Sequence, residues 1–289
     1  MNFRVSDSRS TANTTSRINS QRSRLSTLQE QLTTGKRINR ASDDPSGMEI
    51  VLNLRTSQTE IKQFQRNNQA ANQKLVAADD ALNTYENVLE RVRVLVTQGL
   101  SDTSTQAAKN ALATEIEALR SRILTTANTA NNGEYLFGGV RQNEAPFDAT
   151  TAVPSATPTS AQYIQVEPGS KAIAVGVTAD TIFSDATSTI FTDLTNAVAA
   201  LRGTGDAVAD RATLEATSSR LVIYTDQVNN ARSIIGANMN ATDIAADSLA
   251  SNFLSLDGRA SDIESVDFAE AALGVADAER SLEATLQLA

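Results

Sequence analysis

Two neighbouring carboxylates, Asp43 and Asp44, are the side chains in this sequence whose type and spacing most resemble an acid–base pair. In a hydrolase, one carboxyl group of such a pair would donate a proton and the other would accept one. They stand in the segment Ser42-Asp43-Asp44-Pro45, directly before a long apolar repeat. Aspartate followed by proline is also typical of a turn and helix N-cap, and no chemical partner stands nearby. We therefore interpret the pair as structural.

Two further motifs suggest chemistry less strongly. Phe137-Gly138-Gly139 could be mistaken for a phosphate-binding loop, but Walker spacing and a following Lys-Ser/Thr are absent, so we predict a tight turn. Lys171 with its nearby serines suggests a Ser–Lys hydrolase, although such residues in a β turn are more often solvated.

The chain has no Cys and no His, which excludes thiol and imidazole catalysis and Cys/His zinc sites. We predict a protein that is not an enzyme, with no catalytic, cofactor-binding or metal-binding residues and no cofactor.

The elements around these motifs read as long helices. From about residue 48 to residue 98, apolar residues recur at alternating steps of three and four, apart from one step of seven at the start, which predicts a coiled-coil helix. Its N-terminus is predicted at Pro45 with Asp44 as cap, while Ser46 and Glu49 offer a capping box as a rival start. Asn68 is a polar position in the seam that would help to fix register. The seam residues are Leu54, Ile61, Phe64, Asn68, Ala71, Leu75, Ala78, Leu82, Tyr85, Leu89, Val92 and Val96.

Further helices follow along the chain. A second pattern covers 104–131, and Asn131-Asn132-Gly133 is expected to end it. A third runs with unbroken seven-residue spacing from Leu214 to Ile263, and a short helix over 190–201 is expected to stop at Gly203. Weaker amphipathic stripes lie at both ends of the chain. They supply the candidate assembly interface, namely Ile18, Leu25, Leu28, Leu32, Val275, Leu282 and Leu286.

The middle of the chain differs in composition, since four of its five prolines lie between 142 and 170. The runs Ala161–Val166 and Lys171–Thr178 alternate like strands around a turn. The fold class predicted is mainly α: an elongated antiparallel coiled-coil helical bundle with paired N- and C-terminal helices and a small β-rich inserted domain. The predicted domains are 1–44 with 265–289 (inner terminal helices), 45–141 with 188–264 (long bundle) and 142–187 (β-rich outer insert).

Charge is unevenly distributed along the chain. Residues 1–40 hold eight basic and two acidic groups, whereas residues 236–289 hold ten acidic groups and two arginines. We expect the two ends to attract each other. The net charge of −9 argues against a nucleic-acid partner. No apolar run reaches the ~18–20 residues that span a bilayer, and the N-terminus lacks the apolar segment of a cleaved signal, so no membrane partner is predicted.

Two segments resemble the flagellin superfamily of axial flagellar proteins. Leu25–Asn39 reads LSTLQEQLTTGKRIN and Arg40–Gly47 reads RASDDPSG. The superfamily has a leucine heptad here, then L-x-x-G-x-R-I-N, then an Asp pair that opens the first long helix. The positions that carry the resemblance are Gly35, Arg37, Ile38, Asn39, Asp43, Asp44, Pro45, Phe137, Gly138 and Gly139.

Two subfamilies fit these motifs. Filament flagellins usually have D-D-A-A-G, whereas Pro45 after the Asp pair and the 132–139 sequence NGEYLFGG resemble the hook–filament junction subfamily, which we favour. The resemblance implies a non-enzymatic axial protein that adapts the hook-associated ring to the filament. Its implied partners are other copies of itself, the first hook-associated protein, flagellin and a flagellar export chaperone. Its implied location is extracellular, at the flagellum, after export without a cleaved signal peptide. Filament flagellin remains an alternative, as does a type III secretion coiled-coil tip or scaffold protein.

Overall fold

The chain is mainly helical in a computed structural model that describes residues 3–101, 104–154, 160–170, 172–185 and 187–287, with side chains from Ala12 onward. Lys171 and Pro158 lie outside the described residues, so the Ser–Lys hypothesis is not addressed. The elements in chain order are α1 Phe3–Thr34, α2 Pro45–Gly99, α3 Gln106–Ala127, β1 Ala130–Asn131, β2 Glu134–Tyr135, β3 Tyr163–Ile164, β4 Ile173–Ala174, α4 Ala179–Phe183, α5 Ile190–Arg202, α6 Ala207–Glu264 and α7 Phe268–Gln287.

The chain divides into two compact units, one of residues 1–62 with 250–289 and the other of residues 63–249. In the unit 63–249, the predicted α2 seam is buried except at the half-buried Phe64, and from Leu75 onward it shares one apolar core with the seven-residue repeat of α6. Burying large aliphatic side chains in this way stabilises the unit, and heptad spacing is what places them on one face. The predicted long helices are confirmed. The core residues of α2 and α6 in this unit include Leu75, Leu82, Leu89, Val96, Leu221, Val228 and Ile235.

A polar layer interrupts this seam where the sequence places polar residues on both helices. Asn68 is buried, and its Nδ2 donates to the Thr242 backbone oxygen at 2.8 Å. Thr242 is itself the polar position of the α6 repeat and is fully buried. A buried asparagine inside an apolar seam disfavours other registers, because a slip would take its side-chain amide away from this acceptor.

The helical hairpin ends differently from the prediction. Helix α3 ends at Ala127 with Asn128 as its C-cap, four residues before Asn132. Asn132 and Gly133, with φ of 53° and 84°, instead form the turn of an antiparallel hairpin that pairs Ala130 with Tyr135. The expectation that Asn131-Asn132-Gly133 would end the helix was wrong, because two successive positive-φ residues suit a two-residue hairpin turn as well as a helix end.

The proline-rich middle segment has little regular strand. Tyr163–Ile164 pairs with Ile173–Ala174, so each strand is shorter than the run that predicted it. Phe147 and Phe183 from this segment pack with ring centroids 5.8 Å apart, and Phe147 lies 4.8 Å from Phe191 of α5. Aromatic packing of this kind attaches the segment to the helical core.

Candidate assembly interface

Helices α1 and α7 pack against each other within the unit formed by 1–62 and 250–289, as the predicted pairing of the terminal helices requires. Small residues of α7 face the contact: Ala271 and Ala278 are buried, and a Cβ atom added at Gly274 would lie 3.3 Å from Leu28 Cδ1. Small residues allow two helices to approach closely, but they bury little apolar area.

The predicted interface residues line the narrow seam between α1 and α7, but their side chains are not fully buried there. Leu286 is 50% exposed, and the others are half-buried. Two isolated helices with so little enclosed area have marginal stability. The half-buried residues are Ile18, Leu25, Leu28, Leu32, Val275 and Leu282. Their contact with another subunit stays a prediction.

The motif after α1 forms a short clasp, which we define as residues 35–37 together with 264–266. Gly35 turns the chain with φ of 68°, and its carbonyl oxygen accepts from Val266 N at 3.1 Å. Arg37 N donates to the Glu264 backbone oxygen at 2.6 Å. A left-handed residue favours glycine here, which gives the motif glycine a physical reason. The clasp joins the end of α1 to the start of α7.

The Asp pair is structural, as predicted. Asp43 Oδ2 accepts from the backbone N–H groups of Asn39 at 3.1 Å and Arg40 at 2.8 Å. Asp44 Oδ1 accepts from Gly47 N at 2.9 Å, which makes Asp44 the cap of a helix that begins at Pro45. The Gly47 N–H, with further help from the Arg37 guanidinium 3.3 Å away, lowers the pKa of Asp44. Both carboxylates are therefore committed to the turn and unsuited to proton transfer.

Four charged side chains, two of them from the clasp itself, form linked ion pairs. Glu264, whose side chain is 12% exposed, pairs with Lys36 at 3.2 Å and with Arg55 at 2.9 Å. Arg55 also pairs with Asp257 at 3.0 Å. Sequence reasoning missed Arg55, Asp257 and Glu264, although each directly follows a seam position of its heptad repeat. Charged residues beside a coiled-coil seam commonly form ion pairs across it. Their position next to the seam was therefore the sequence feature that could have indicated these three residues.

The remaining motif residues lie in two places. Ile38 is buried beside the clasp, and Asn39 Nδ2 donates to the Lys36 backbone oxygen at 3.0 Å. Phe137, Gly138 and Gly139 belong to the other unit, where Phe137 is buried and Gly138 N donates to the Tyr135 oxygen at 3.2 Å. Gly139 has φ of 59°, so this element is the predicted tight turn.

The expected attraction between residues 1–40 and residues 236–289 takes a direct form in the ion pair of Lys36 with Glu264, 3.2 Å apart. Among the side chains described in α1 and α7, no ion pair joins one helix to the other. Arg17, Arg22 and Arg24 of α1 are exposed. The acidic residues of α7 are exposed too, and Asp277 lies 3.7 Å from Arg280 of its own helix. The two ends of the chain are therefore paired at Lys36 and Glu264, and not between the described side chains of α1 and α7.

Neither a metal-binding cluster nor a membrane-spanning helix is present in the described part of the chain. It contains no cluster of three or more acidic groups that could hold a metal ion. None of its helices is both long and apolar enough to cross a membrane.

The ion pairs of Glu264 make the free energy of unfolding depend on pH in the acid range. Burial raises the pKa of Glu264, but hydrogen bonds from Arg55 and Lys36 outweigh it, so the pKa is lowered overall. The pairs therefore stabilise the fold above the ordinary glutamate pKa of about 4.3 and lose this effect as pH falls through the lowered value. At pH 7, Glu264→Gln should cost about 1 kcal/mol in urea unfolding. Once the pH is below the lowered pKa of Glu264, the difference from wild type should vanish.

The matched control for this prediction is Glu60→Gln, since Glu60 is exposed and has no ion pair in the described structure. It should unfold like the wild type at every pH. Equal stability of Glu264→Gln and wild type at pH 7 would contradict the role given to Glu264.

Comparison with known proteins gives a class that the chain resembles. The family described as bacterial flagellin N-terminal helical region matches residues 5–142, which is just under half of the chain. Residues 5–142 are therefore similar to the N-terminal helical region of bacterial flagellin.

Within that class, two relatives extend over most of the chain. Flagellar hook-associated protein 3 of Escherichia coli is 28% identical over 242 residues, which is 77% of this chain and 75% of that protein. Flagellin of Bacillus subtilis is 28% identical over 283 residues, which is 93% of this chain and 89% of that protein. The crystal structure of Xanthomonas campestris FlgL has the same fold, with a TM-score of 0.65 and 17% identity over 72% of this chain and 99% of that one.

Proposed function

We propose that this chain is a hook–filament junction protein, a structural adaptor between the hook-associated ring and the flagellin filament. The observation that carries the proposal is the α1–α7 pair, whose apolar seam is left half-buried in a single chain. A seam of this kind gains order when neighbouring subunits cover it. The likeness to hook-associated protein 3 of Escherichia coli over 77% of the chain, together with Pro45 after the Asp pair, favours the junction role.

The proposal includes partners and location. The chain would form a ring with copies of itself, stack on the first hook-associated protein and present a flagellin-like face to the filament. Before assembly it would bind a flagellar export chaperone and leave the cell through the flagellar type III channel. It would catalyse no reaction. Residues 1–44 with 265–289 would be the inner domain, 45–141 with 188–264 the tube wall, and 142–187 the outer insert.

Filament flagellin is the second candidate, because the flagellin of Bacillus subtilis aligns with 93% of this chain. The two functions differ in copy number, since a filament contains far more subunits than a single ring. Quantitative mass spectrometry of sheared flagella should find this chain as a trace component beside a different, abundant flagellin. Abundance equal to that of the main filament protein would favour flagellin, and absence from the flagella would favour the type III tip or scaffold alternative.

Hydrogen exchange tests the idea that the inner helices gain order on assembly. In the isolated chain, amides of α1 and α7 should exchange quickly, because their shared seam is half-buried. Amides near 60–95 should remain protected, since α2 side chains there are enclosed in the core. Uniform protection would mean that the terminal helices are already stable without neighbours.

A further inference from the structure

A polar cavity lies between α2 and the β1–β2 hairpin, within the unit 63–249. Its volume is about 190 Å³, far more than the ~15 Å³ that holds one water molecule. Its walls come from Gln73 and Lys74 of α2, from the hairpin, and from Gln162 and Gly176 beside the β3–β4 pair. A cavity of this size can take one small molecule, and it lies outside the candidate assembly interface.

One wall of the cavity carries a balanced pair of charges. Lys74 Nζ lies 2.6 Å from Glu134 Oε2 and donates to Gln162 Oε1 at 3.0 Å. The Gln142 amide nitrogen, in the orientation that its hydrogen bonds require, donates to both Glu134 oxygens at 2.9 and 3.0 Å. Among the described residues that line the cavity, no further side chain is charged. A ligand with a net charge would therefore be enclosed without a counter-ion, so the cavity suits a neutral ligand.

The other wall offers amide groups without protein partners. The side chains of Gln73, Asn131 and Asn132 line the cavity and form no hydrogen bond to another residue in the described part of the chain. Each amide has one acceptor oxygen and two donor hydrogens. A hydroxyl group both donates and accepts, so a molecule with several hydroxyl groups can satisfy all three amides. The half-buried Tyr135 lines the same cavity and adds an aromatic ring with an apolar face.

We propose that this cavity binds a single neutral sugar ring. Its hydroxyl groups would form hydrogen bonds with Gln73, Asn131 and Asn132, and its C–H face would pack against Tyr135. An aromatic surface with a few convergent polar groups is the usual composition of a small-molecule site. The inference goes beyond the proposed function and does not depend on it, because none of these residues belongs to the terminal helices.

Saturation-transfer difference NMR of the full chain tests this binding, with D-glucose, D-galactose and D-mannose as probes. At least one of the three sugars should receive saturation and bind with a Kd on the order of 1 mM, because each amide hydrogen bond contributes little net free energy. The charged analogues D-glucuronate and D-glucosamine should bind about tenfold more weakly than that sugar, since they bring an unpaired charge into the cavity. Absence of saturation transfer to all three neutral sugars would overturn the inference.

Two variants locate the binding in the cavity. Ala70 lines the cavity and is exposed, so Ala70→Phe should fill its opening and abolish saturation transfer. The matched control is Ala216→Phe, the same change at an exposed position of α6 that does not line the cavity, and it should bind like the wild type. Gln73→Leu removes one amide without breaking a hydrogen bond of the described structure, and it should weaken binding about tenfold.

Circular dichroism and urea unfolding check that these variants keep the wild-type fold. Gln73 is exposed on α2, so its substitution leaves the helical core intact even if the bulkier Phe at position 70 disturbs the hairpin. Binding by both Ala70→Phe and Gln73→Leu equal to that of the wild type would place the sugar elsewhere on the chain and contradict this site.

Discussion

Deletion of residues 1–35 should abolish incorporation of the chain at the hook tip. The deletion removes α1, which is the packing partner of α7, and with it the Gly35 carbonyl that accepts from Val266. Ala271 and Ala278 then lose their cover, and α7 becomes a single amphipathic helix of marginal stability. We expect complete loss of function, because neither half of the inner pair would be available to a neighbouring subunit.

The rest of the molecule should survive this deletion. The unit 63–249 has its own apolar core, which includes Leu75, Leu82 and Tyr224, and none of it comes from α1. Circular dichroism should therefore show a cooperative melt of a helical protein. Adding the purified truncated chain to isolated hooks, with intact chain as the positive control, separates assembly from export. Normal filaments on hooks supplied with the truncated chain would refute the role of the terminal helices.

The largest stability effect is expected at Asp193, a buried carboxylate in the first turn of α5. It accepts hydrogen bonds from Arg220 at 2.6 Å, from the Tyr224 hydroxyl at 2.8 Å and from Ser188 at 2.8 Å. Burial, reinforced by the hydrogen bond to Asp193, raises the pKa of Tyr224, so the hydroxyl stays protonated and continues to donate. Asp193 thus joins α5 to α6 through two side chains of α6.

Asp193→Ala should reduce the free energy of unfolding by about 3 kcal/mol. Removing the carboxylate leaves the partly buried Arg220 charge and the buried Tyr224 hydroxyl without their partner. Urea unfolding followed by circular dichroism measures the change. The control is Asp226→Ala on α6, where the side chain is exposed and has no ion pair in the described structure, so the expected change is within about 0.5 kcal/mol. Equal stability of the two variants would contradict the role of Asp193.

Heptad spacing made the long helices predictable. A heptad repeat of apolar residues places them on one face of a helix, and that face is buried whichever element packs against it. The extents of α2 and α6 could therefore be inferred from sequence alone. Pro45 and Asp44 also marked the start of α2 correctly, since capping depends on neighbouring residues. The family motif around the clasp was recognised, but its role in joining α1 to α7 was not.

Features that depend on distant parts of the chain escaped prediction. Asp193 and Arg220 are 27 residues apart, and the sequence around each residue does not indicate that the other is its ion-pair partner. Asn132-Gly133 was assigned to a helix end because the same dipeptide suits a helix end and a hairpin turn. Counting charges over residues 1–40 and 236–289 predicted attraction between the two ends, but the count could not show that Lys36 and Glu264 are the residues that pair.

Electron microscopy of flagella with a label on this chain tests the central claim most directly. The label can be inserted directly after Gly169, in an exposed turn with open space around it, so that this positive-φ glycine and the helices are kept. If the chain is an adaptor between hook and filament, we expect the label to form one narrow band at the boundary between them on each flagellum. Label distributed along the whole filament would contradict the junction role.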